Sequence, residues 1–318
     1  MDIGREIVEE RVNRPTAEAL MRTALREGLS SVAFAPALRL GQAVRKLLPQ
    51  SLQAKVPEAR PAGVWPDRHH ARKVLLLAGC VQPAMAPSID AATARVLDRL
   101  GVQAVVAPRS GCCGAVRQHL ADGHGAQAQA RRNIDAWWPW LQPVDRGEPA
   151  AEAIVINASG CGSMIKDYGH LLQDDPEYAD KARLVSERCL DLGQWLAAQS
   201  LPAQSARSSV RVAFHPPCSL QHAQQVRGVI EPLLTALGAS LVPVQEAHLC
   251  CGSAGTYSVL QPGLSRQLRD RKLGHLQAEQ PEIILSANIG CLAHLQSGTG
   301  TPVRHWIEWV DDILARTD

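Results

Sequence analysis

The sequence lacks an excess of charge of either sign, and it lacks any long apolar run. Lys plus Arg number 33 against 31 Asp plus Glu, which gives a formal net charge of +2. A chain this close to neutral has no broad electrostatic attraction for nucleic acid. The longest apolar run, Val74 to Val81, is far shorter than the roughly 18 residues of a membrane-spanning helix. We therefore predict a protein that binds no nucleic acid and has at most peripheral membrane contact.

The chain also lacks a recognisable export signal at its N-terminus. Residues 1–14 carry charges of both signs and contain no apolar stretch. This pattern predicts a cytoplasmic protein, with any membrane contact on the cytoplasmic face of the inner membrane. The cytosol keeps thiols reduced, so nine cysteines are difficult to explain as a disulfide framework. Metal binding or redox chemistry is the better interpretation.

One pattern of strands, helices and cysteines occurs twice along the chain. An apolar strand ends in a cysteine at Cys80, and a second such strand ends at Cys218. In each half, 31 residues separate this cysteine from the tripeptide Cys-Cys-Gly, at 112–114 and at 250–252. A helix, a strand and a Gly-Cys pair then follow in both halves. The equal spacings indicate a duplicated unit of domain size.

The alternation of strands and helices predicts an α/β fold, with a small, largely parallel sheet in each repeat and helices on its faces. We predict a helical N-terminal arm with a Pro-rich lead-in over residues 1–70, a first cysteine-rich repeat over 71–200, a linker over 201–209 and a second repeat over 210–318. Because parallel strands end at one edge of a sheet, the cysteines that follow them are expected to meet there.

Each repeat offers four cysteines with the same placement. The two sets are Cys80, Cys112, Cys113 and Cys161, and Cys218, Cys250, Cys251 and Cys291. Adjacent cysteines have Cα atoms about 3.8 Å apart, which is too close for a relaxed disulfide. Neighbouring thiolates repel each other unless a cation lies between them, so the pair suits a polynuclear metal centre. Gly114 and Gly252 allow the tight turn that directs both sulfurs towards one site.

Three interpretations of these cysteines compete. Four thiolates are the usual ligand set of an iron–sulfur cluster, and the spacing favours this interpretation. A structural zinc site also uses four, but its ligands usually come as C-x2–4-C knuckles, which neither repeat contains. Buried structural thiols are the third interpretation, and the duplicated spacing argues against it. Cys189, the ninth cysteine, has no counterpart in the other repeat and is predicted to be a helix core residue.

Several other residues allow two readings. His215 precedes Pro-Pro and Cys218, and it either donates a hydrogen bond to a cluster sulfur or, the favoured reading, is a neutral buried strand residue. Trp137, Trp138 and Trp140 form either a surface for a partner subunit or a core cluster. No serine–histidine–acid group or carboxylate pair stands out. We therefore predict no catalytic residue in this chain.

At its cysteines the sequence resembles the CCG-type cysteine-rich domain family, which occurs twice in the B subunit of heterodisulfide reductase and in iron–sulfur subunits of membrane-linked dehydrogenases. The resemblance to the iron–sulfur subunits of glycolate oxidase (glycolate dehydrogenase) is closer and extends over nearly the whole chain. It is carried by residues 75–87 (LLLAGCVQPAMAP), 133–139 (NIDAWWP), 250–257 (CCGSAGTY) and 286–291 (SANIGC).

The resemblance implies an electron-transfer subunit of an oxidoreductase whose substrate chemistry takes place on a flavin-containing partner. It implies [4Fe-4S] clusters, cubane or non-cubane, that pass electrons from the oxidation of glycolate to glyoxylate towards the quinone pool. Two alternatives stay open. One is the same role with another 2-hydroxy acid such as lactate, or with glycerol 3-phosphate, and the other is a zinc-stabilised scaffold without redox function.

Two features depart from the family pattern. The terminal Cys-x-x-Cys has lost its second cysteine in both repeats, where Met164 and His294 stand instead. Four thiolates per site are one fewer than the non-cubane cluster uses, and His294 becomes a candidate nitrogen ligand. The ferredoxin-like domain that normally precedes the repeats, with its C-x2-C-x2-C-x3-C-P runs, has no counterpart in the sequence. A separate ferredoxin-like domain is therefore an expected partner.

Overall fold

The computed structural model describes residues 2–47, 49, 56, 58–142, 149–201 and 209–316. Over these ranges the chain forms two parallel, four-stranded sheets flanked by helices, which confirms the predicted α/β fold with two similar repeats. None of the helices described is long and apolar enough to cross a bilayer. Most of the predicted linker, residues 202–208, lies outside the described residues.

In the described part of the N-terminal arm the chain forms α1 (Asp2–Arg11), α2 (Thr16–Leu29) and α3 (Phe34–Ala43), with a 3-10 turn at Arg45–Leu47. Neither α2 nor α3 contains a fully buried residue. The arm contacts the first repeat through α3, which packs beside residues 81–85, and through Arg117, which donates to Glu27 of α2 at 2.5 Å. The predicted helical arm is present, and it rests on the body mainly through partly exposed contacts.

The first sheet has the strand order β2-β1-β3-β4, and every neighbouring pair is parallel. Its strands are β1 (Arg72–Leu76), β2 (Val102–Val106), β3 (Ile154–Ile156) and β4 (Cys189–Asp191). Its helices are α4 (Val81–Met85), α5 (Ser88–Arg99), α6 (Ala115–His119), α7 (Gly123–Leu141), α8 (Ser159–Lys166), α9 (Tyr168–Leu171), α10 (Ala179–Arg188) and α11 (Leu192–Ala197).

The second sheet repeats this topology, with the order β6-β5-β7-β8. Its strands are β5 (Arg211–His215), β6 (Ser240–Leu241), β7 (Ile283–Ser286) and β8 (Val303–His305). A π-helical turn at Ser219–Ala223 follows β5, and the helices are α12 (Ile230–Ala236), α13 (Tyr257–Leu260), α14 (Pro262–Gln277), α15 (Ile289–Gln296) and α16 (Trp306–Leu314). Strand β6 has two residues and lies at the edge of the sheet, where its only neighbour among the described strands is β5.

The core of the molecule lies on both faces of the first sheet, as expected for parallel strands. Successive residues of β1 point to opposite faces. Val74 and Leu76 join an apolar cluster that extends into the second repeat through Val212 of β5, whereas Leu75 joins a separate cluster with Trp137. The two repeats therefore share one continuous core, and the first repeat has a second core of its own.

Polar contacts fix the two repeats against each other. Asp311 of α16 accepts hydrogen bonds from Arg95 at 2.6 Å and from Arg99 at 2.9 Å, both on α5. At the carboxyl ends of the sheets, the backbone N–H of Ser159 donates to the carbonyl of Ala287 at 3.1 Å. These contacts bring the chain segments that follow β3 and β7 next to each other.

The predicted position of Cys189 in a helix core is wrong. Cys189 is buried, but it begins strand β4 and pairs with Ile154 of β3. Burial raises the pKa of its thiol to about 12, so it stays protonated at neutral pH. It is a core residue of the sheet.

Candidate metal centres

The four cysteines of each repeat come from three chain segments that meet at the carboxyl edge of the sheet. In the first repeat, Cys80 follows β1, Cys112 and Cys113 follow β2, and Cys161 lies in the first turn of α8 after β3. The second repeat places its cysteines in the same way. The arrangement follows from parallel strand topology, because all strands deliver the chain to the same edge.

The thiols of the first repeat are linked by contacts between neighbouring members of the group. The Sγ atoms of Cys80 and Cys112 lie 3.5 Å apart, and the Cys113 thiol contacts those of Cys112 and Cys161. All four are free cysteines, and 3.5 Å is far longer than the roughly 2.05 Å of a disulfide bond. We call this group, Cys80, Cys112, Cys113 and Cys161, the first centre.

Hydrogen bonds between the thiols decide which of them ionises first. Those donated by Cys113 and Cys80 lower the pKa of Cys112 to about 3, and the nearby Arg132 acts in the same direction. The pKa values of Cys80 and Cys113 are raised, because each is hydrogen-bonded to Cys112 and buried. Like charges this close resist further ionisation, so a bound cation is needed to hold all four as thiolates.

The second repeat contains the matching group, Cys218, Cys250, Cys251 and Cys291, which we call the second centre. The Sγ atoms of Cys218 and Cys250 lie 3.8 Å apart, and the backbone N–H of Gly252 donates to Cys250 at 3.3 Å. Hydrogen bonds from Cys218 and Cys251 lower the pKa of Cys250 to about 2. A hydrogen bond from Cys251 is the main cause that lowers the pKa of Cys291 to about 5.

Each Cys-Cys-Gly turn depends on its glycine. Gly114 has φ +95° and Gly252 has φ +87°, in the left-handed region that favours glycine. A Cβ on Gly114 would lie 3.2 Å from the carbonyl oxygen of Ala126 in α7. A Cβ on Gly252 would lie 2.4 Å from the carbonyl oxygen of Ser265 in α14. Both turns therefore press their backbone against the helix that follows.

A buried side chain on that helix holds the first Cys-Cys-Gly segment in place. Asn133 of α7 accepts a hydrogen bond from the backbone N–H of Gly111 at 2.8 Å and donates to the carbonyl of Cys112 at 2.9 Å. The hydroxyl of Tyr168 donates to the carbonyl of Cys113 at 2.8 Å. The backbone carbonyls of both adjacent cysteines thus accept hydrogen bonds from buried side chains, which fix the position of the pair.

In the second repeat, a buried lysine is hydrogen-bonded to the backbone segment that precedes the Cys-Cys-Gly turn. The Lys272 side chain of α14 is fully buried, and its Nζ donates to the carbonyls of Glu246 and Ala247, each at 3.1 Å. Burial lowers the pKa of Lys272 to about 8, while the neighbouring Cys251 and Cys250 act in the opposite direction. A positive charge in this place favours thiolates at the second centre.

His215 is a buried strand residue, as the favoured interpretation of the sequence predicts, and it also lies at the second centre. It is fully buried, and it ends strand β5 three residues before Cys218. The ligand atoms of His215, Cys251 and Cys291 all lie within 4.8 Å of one another. Among the residues that the structure describes, no nitrogen or oxygen atom is a hydrogen-bond partner of either ring nitrogen. The Pro-Pro pair after His215 was the available signal in the sequence, since prolines offer no backbone N–H to a neighbouring side chain.

The His294 ring is hydrogen-bonded to Ser265 of α14. Its Nε2 lies 2.9 Å from the hydroxyl of Ser265 and 3.2 Å from the Ser265 carbonyl. The Met164 side chain, at the corresponding position of the first repeat, contacts the Gly114 turn. Both residues therefore support the glycine turns from the place where the family pattern has a cysteine.

The three tryptophans of α7 have different surroundings. Trp137 is fully buried in the core, as the core interpretation predicts. Trp138 and Trp140 are half-buried, and the Lys181 Nζ lies 5.9 Å from the centre of the Trp138 ring. The cluster as a whole is therefore not an exposed aromatic surface.

Comparison with known proteins agrees with the two centres. The family model for the CCG cysteine-rich domain matches residues 74–166 and 212–296. The glycolate oxidase iron–sulfur subunit of Escherichia coli (strain K12) is 48% identical over 99% of this chain and 77% of its own length. Lactate utilization protein A of Geobacillus kaustophilus is 28% identical over 73% of this chain and 95% of its own.

Among solved structures, the crystal structure of a hypothetical protein from Helicobacter pylori has a similar fold, with a TM-score of 0.52 over 96% of this chain and 65% of that one. The sequences are 8% identical, so the likeness concerns the fold alone.

Proposed function

Because this chain belongs to the family of glycolate oxidase iron–sulfur subunits and contains two CCG cysteine-rich domains, we propose that each of its centres binds an iron–sulfur cluster, of the [4Fe-4S] type. The observation that carries the proposal is the convergence of four free thiols at each centre. The cluster domains extend over residues 71–200 and 210–318.

The donor set of each centre fits such a cluster. Four thiolates are the usual ligand set of an iron–sulfur cluster, and the adjacent cysteines would supply two of them to the same cluster. A bound iron–sulfur cluster takes up and releases single electrons. The chain supplies thiolates, excludes water by burying Cys113, Cys251 and Cys291, and places cationic groups nearby through Arg132 and Lys272.

The function that follows is electron transfer within a 2-hydroxy acid dehydrogenase. We propose that a flavin-containing partner oxidises glycolate to glyoxylate, and that electrons pass through the two centres towards the quinone pool. Glycolate is favoured over lactate because the relative named for glycolate oxidase is 48% identical and the one named for lactate utilization is 28% identical. We further propose that the protein works in the cytoplasm or at the cytoplasmic face of the membrane, and that a ferredoxin-like domain takes part in the same electron transfer.

The test uses the chain co-expressed with a flavin-containing glycolate oxidase subunit and purified without oxygen. Glycolate is expected to bleach the visible absorption of the iron–sulfur clusters, and lactate to do so more slowly at equal concentration. A variant that carries both Cys113→Ser and Cys251→Ser is the control and should show no such bleaching. If the wild-type protein contains stoichiometric zinc and shows no visible absorption, the zinc-stabilised scaffold is supported and the electron-transfer role is refuted.

A further inference from the structure

We infer that His215 supplies an imidazole nitrogen to the metal cluster of the second centre. The inference rests on the proposed cluster and adds a donor that the cysteine pattern does not contain. It makes the two centres chemically different, since the first then has sulfur donors alone.

The first argument is the state of the His215 ring. The side chain is 0% exposed, and within the described part of the chain neither Nδ1 nor Nε2 has a nitrogen or oxygen atom as hydrogen-bond partner; the ring lies against the Cys291 thiol. Leaving a buried polar group unsatisfied costs about 1–3 kcal/mol, and His215 has two such atoms. Buried polar atoms in folded proteins are nearly always paired, so an orphaned ring implies a ligand that completes it.

Another histidine of the chain shows that burial alone does not leave a ring unsatisfied. His305 ends strand β8 and is also 0% exposed. Its Nε2 donates to the carbonyl of Asn157 at 2.8 Å, and its Nδ1 accepts from the backbone N–H of Ile307 at 3.2 Å. Each histidine is the last residue of a strand in the second sheet. Both ring nitrogens of His305 are hydrogen-bonded to backbone atoms, whereas neither ring nitrogen of His215 has such a partner among the described residues.

The second argument is where the ring is held. The backbone of His215 is fixed in the sheet, because it pairs with Ser286 and its carbonyl accepts from the Ser286 hydroxyl at 2.9 Å. Pro216 and Pro217 follow directly, and neither has a backbone N–H to offer the ring. One ring nitrogen of His215 and the Sγ atoms of Cys251 and Cys291 lie within 4.8 Å of one another, so that nitrogen is close to both thiols. Imidazole and thiolate are a donor combination that iron accepts.

The third argument is a difference between the repeats. Three residues before Cys218 stands His215, and three residues before Cys80 stands Leu77, which packs against the apolar core of the first repeat. The first centre therefore has no nitrogen donor at this place. A neutral imidazole adds no negative charge to the cluster, and the identity of the ligands is one of the factors that set the potential of an iron–sulfur centre. We expect the two centres to have different midpoint potentials.

The experiment separates the centres and then looks for the nitrogen. Full-length protein with Cys113→Ser retains the second centre alone, and protein with Cys251→Ser retains the first alone. Both are labelled with ¹⁵N-histidine, loaded anaerobically, and measured by electron–nuclear double resonance in their paramagnetic state. A strong histidine ¹⁵N coupling is expected in the Cys113→Ser protein and not in the Cys251→Ser protein. Adding His215→Leu should abolish it, whereas adding His294→Gln should leave it unchanged.

Iron content gives an independent reading that needs no paramagnetic state. His215→Leu copies the residue of the first repeat, so it should lower the iron bound at the second centre while the metal-free protein gains thermal stability. Loss of the two unsatisfied atoms explains the gain. A loaded second centre with no histidine coupling, or with unchanged iron and a less stable His215→Leu protein, would overturn the inference. Absence of iron and sulfide from the wild type would instead overturn the proposed function, so the two failures are distinguishable.

Discussion

Asn288 and Gly160 are hydrogen-bonded across the boundary between the two repeats, with the Gly160 N–H donating to the Asn288 side-chain oxygen at 3.3 Å. The amide nitrogen of the same side chain donates to Cys291 Sγ at 3.8 Å. Gly160 directly precedes Cys161. One side chain thus joins a cysteine of the second centre to the segment that carries a cysteine of the first. The corresponding residue of the first repeat is Ala158, which has no amide to offer.

Asn288→Ala is therefore expected to act on the second centre more than on the first. An N–H that points at a cysteine sulfur stabilises the more negative, reduced cluster, so its loss should lower the midpoint potential of the second centre. Redox titration in the Cys113→Ser background measures that centre alone, and the Cys251→Ser background gives the first centre as control. Equal shifts in both backgrounds would show that the substitution acts through the fold and not through Cys291.

Single cysteine substitutions should divide the iron content by centre. Cys113→Ser and Cys251→Ser are each expected to lower bound iron by about half, since one of two clusters loses a ligand with no substitute nearby. Cys189→Ser is the matched control, because Cys189 is a buried sheet residue with a protonated thiol. Iron analysis of the three purified variants decides the point. Iron loss from the Cys189 variant equal to the others would show that the ligand assignment is wrong.

Gly114→Ala and Gly252→Ala should both weaken their centres, and unequally. The left-handed backbone alone costs an alanine about 1–2 kcal/mol of folding free energy. The new Cβ would also meet a backbone oxygen at 3.2 Å for Gly114 but at 2.4 Å for Gly252, so Gly252→Ala should be the more destabilising. Urea unfolding and iron content measure both effects.

Gly274 offers a control on the helix that Gly252 contacts. It lies within α14, and a Cβ there would meet nothing within 4 Å. Gly274→Ala should stabilise the protein by roughly 0.5–1 kcal/mol, because glycine is unfavourable within a helix. If Gly252→Ala lowered neither the free energy of unfolding nor the iron content, the turn would not lie as close to Ser265 as the structure places it.

Asp191 should make folding stability depend on pH. Burial raises the pKa of its carboxyl to about 6, although the Gly193 N–H that it caps acts in the opposite direction. The protonated form therefore favours the fold: its contribution is complete below the unfolded pKa near 3.9 and is lost as pH rises through about 6. Asp191→Asn keeps a capping oxygen and cannot ionise.

The expected result for Asp191→Asn is a gain of roughly 2–3 kcal/mol over the wild type at about pH 7, shrinking towards zero near pH 4. Chemical unfolding at both pH values measures it. A variant that is equally stable to the wild type at neutral pH would contradict the raised pKa. A variant less stable at every pH would show that the carboxylate is needed as the helix cap.

Much of the fold can be predicted from the sequence because the repeat consists of apolar strands and cysteines whose order is compatible with few folds. Apolar strands such as 72–76 and 211–215, each followed by a cysteine, predict parallel sheets whose carboxyl ends carry the cysteines. The equal spacing to each Cys-Cys-Gly then predicts that both groups assemble in the same way. These are local signals, and the topology of parallel sheets converts them into one arrangement.

What the sequence could not provide depends on tertiary surroundings. Strand β4 has three residues between two helices, and only its pairing with β3 makes Cys189 a strand residue. The capping box of Asp191 and Gln194 marked the start of the following helix. His215 has the pattern of a buried strand residue, and the two prolines after it remove nearby backbone N–H donors, but the pattern does not tell whether a ring nitrogen finds a partner elsewhere in the fold. His294 stood at the position of a lost cysteine, yet Ser265 lies within its reach.

The central claim is that both cysteine groups bind iron–sulfur clusters, and metal analysis of the whole chain tests it most directly. The protein is reconstituted anaerobically with iron and sulfide in the presence of an equal amount of zinc, then freed of unbound metal and analysed for iron, acid-labile sulfide and zinc. The account predicts iron and sulfide in about equal amounts, both halved in Cys113→Ser and in Cys251→Ser. Stoichiometric zinc with no sulfide would contradict it.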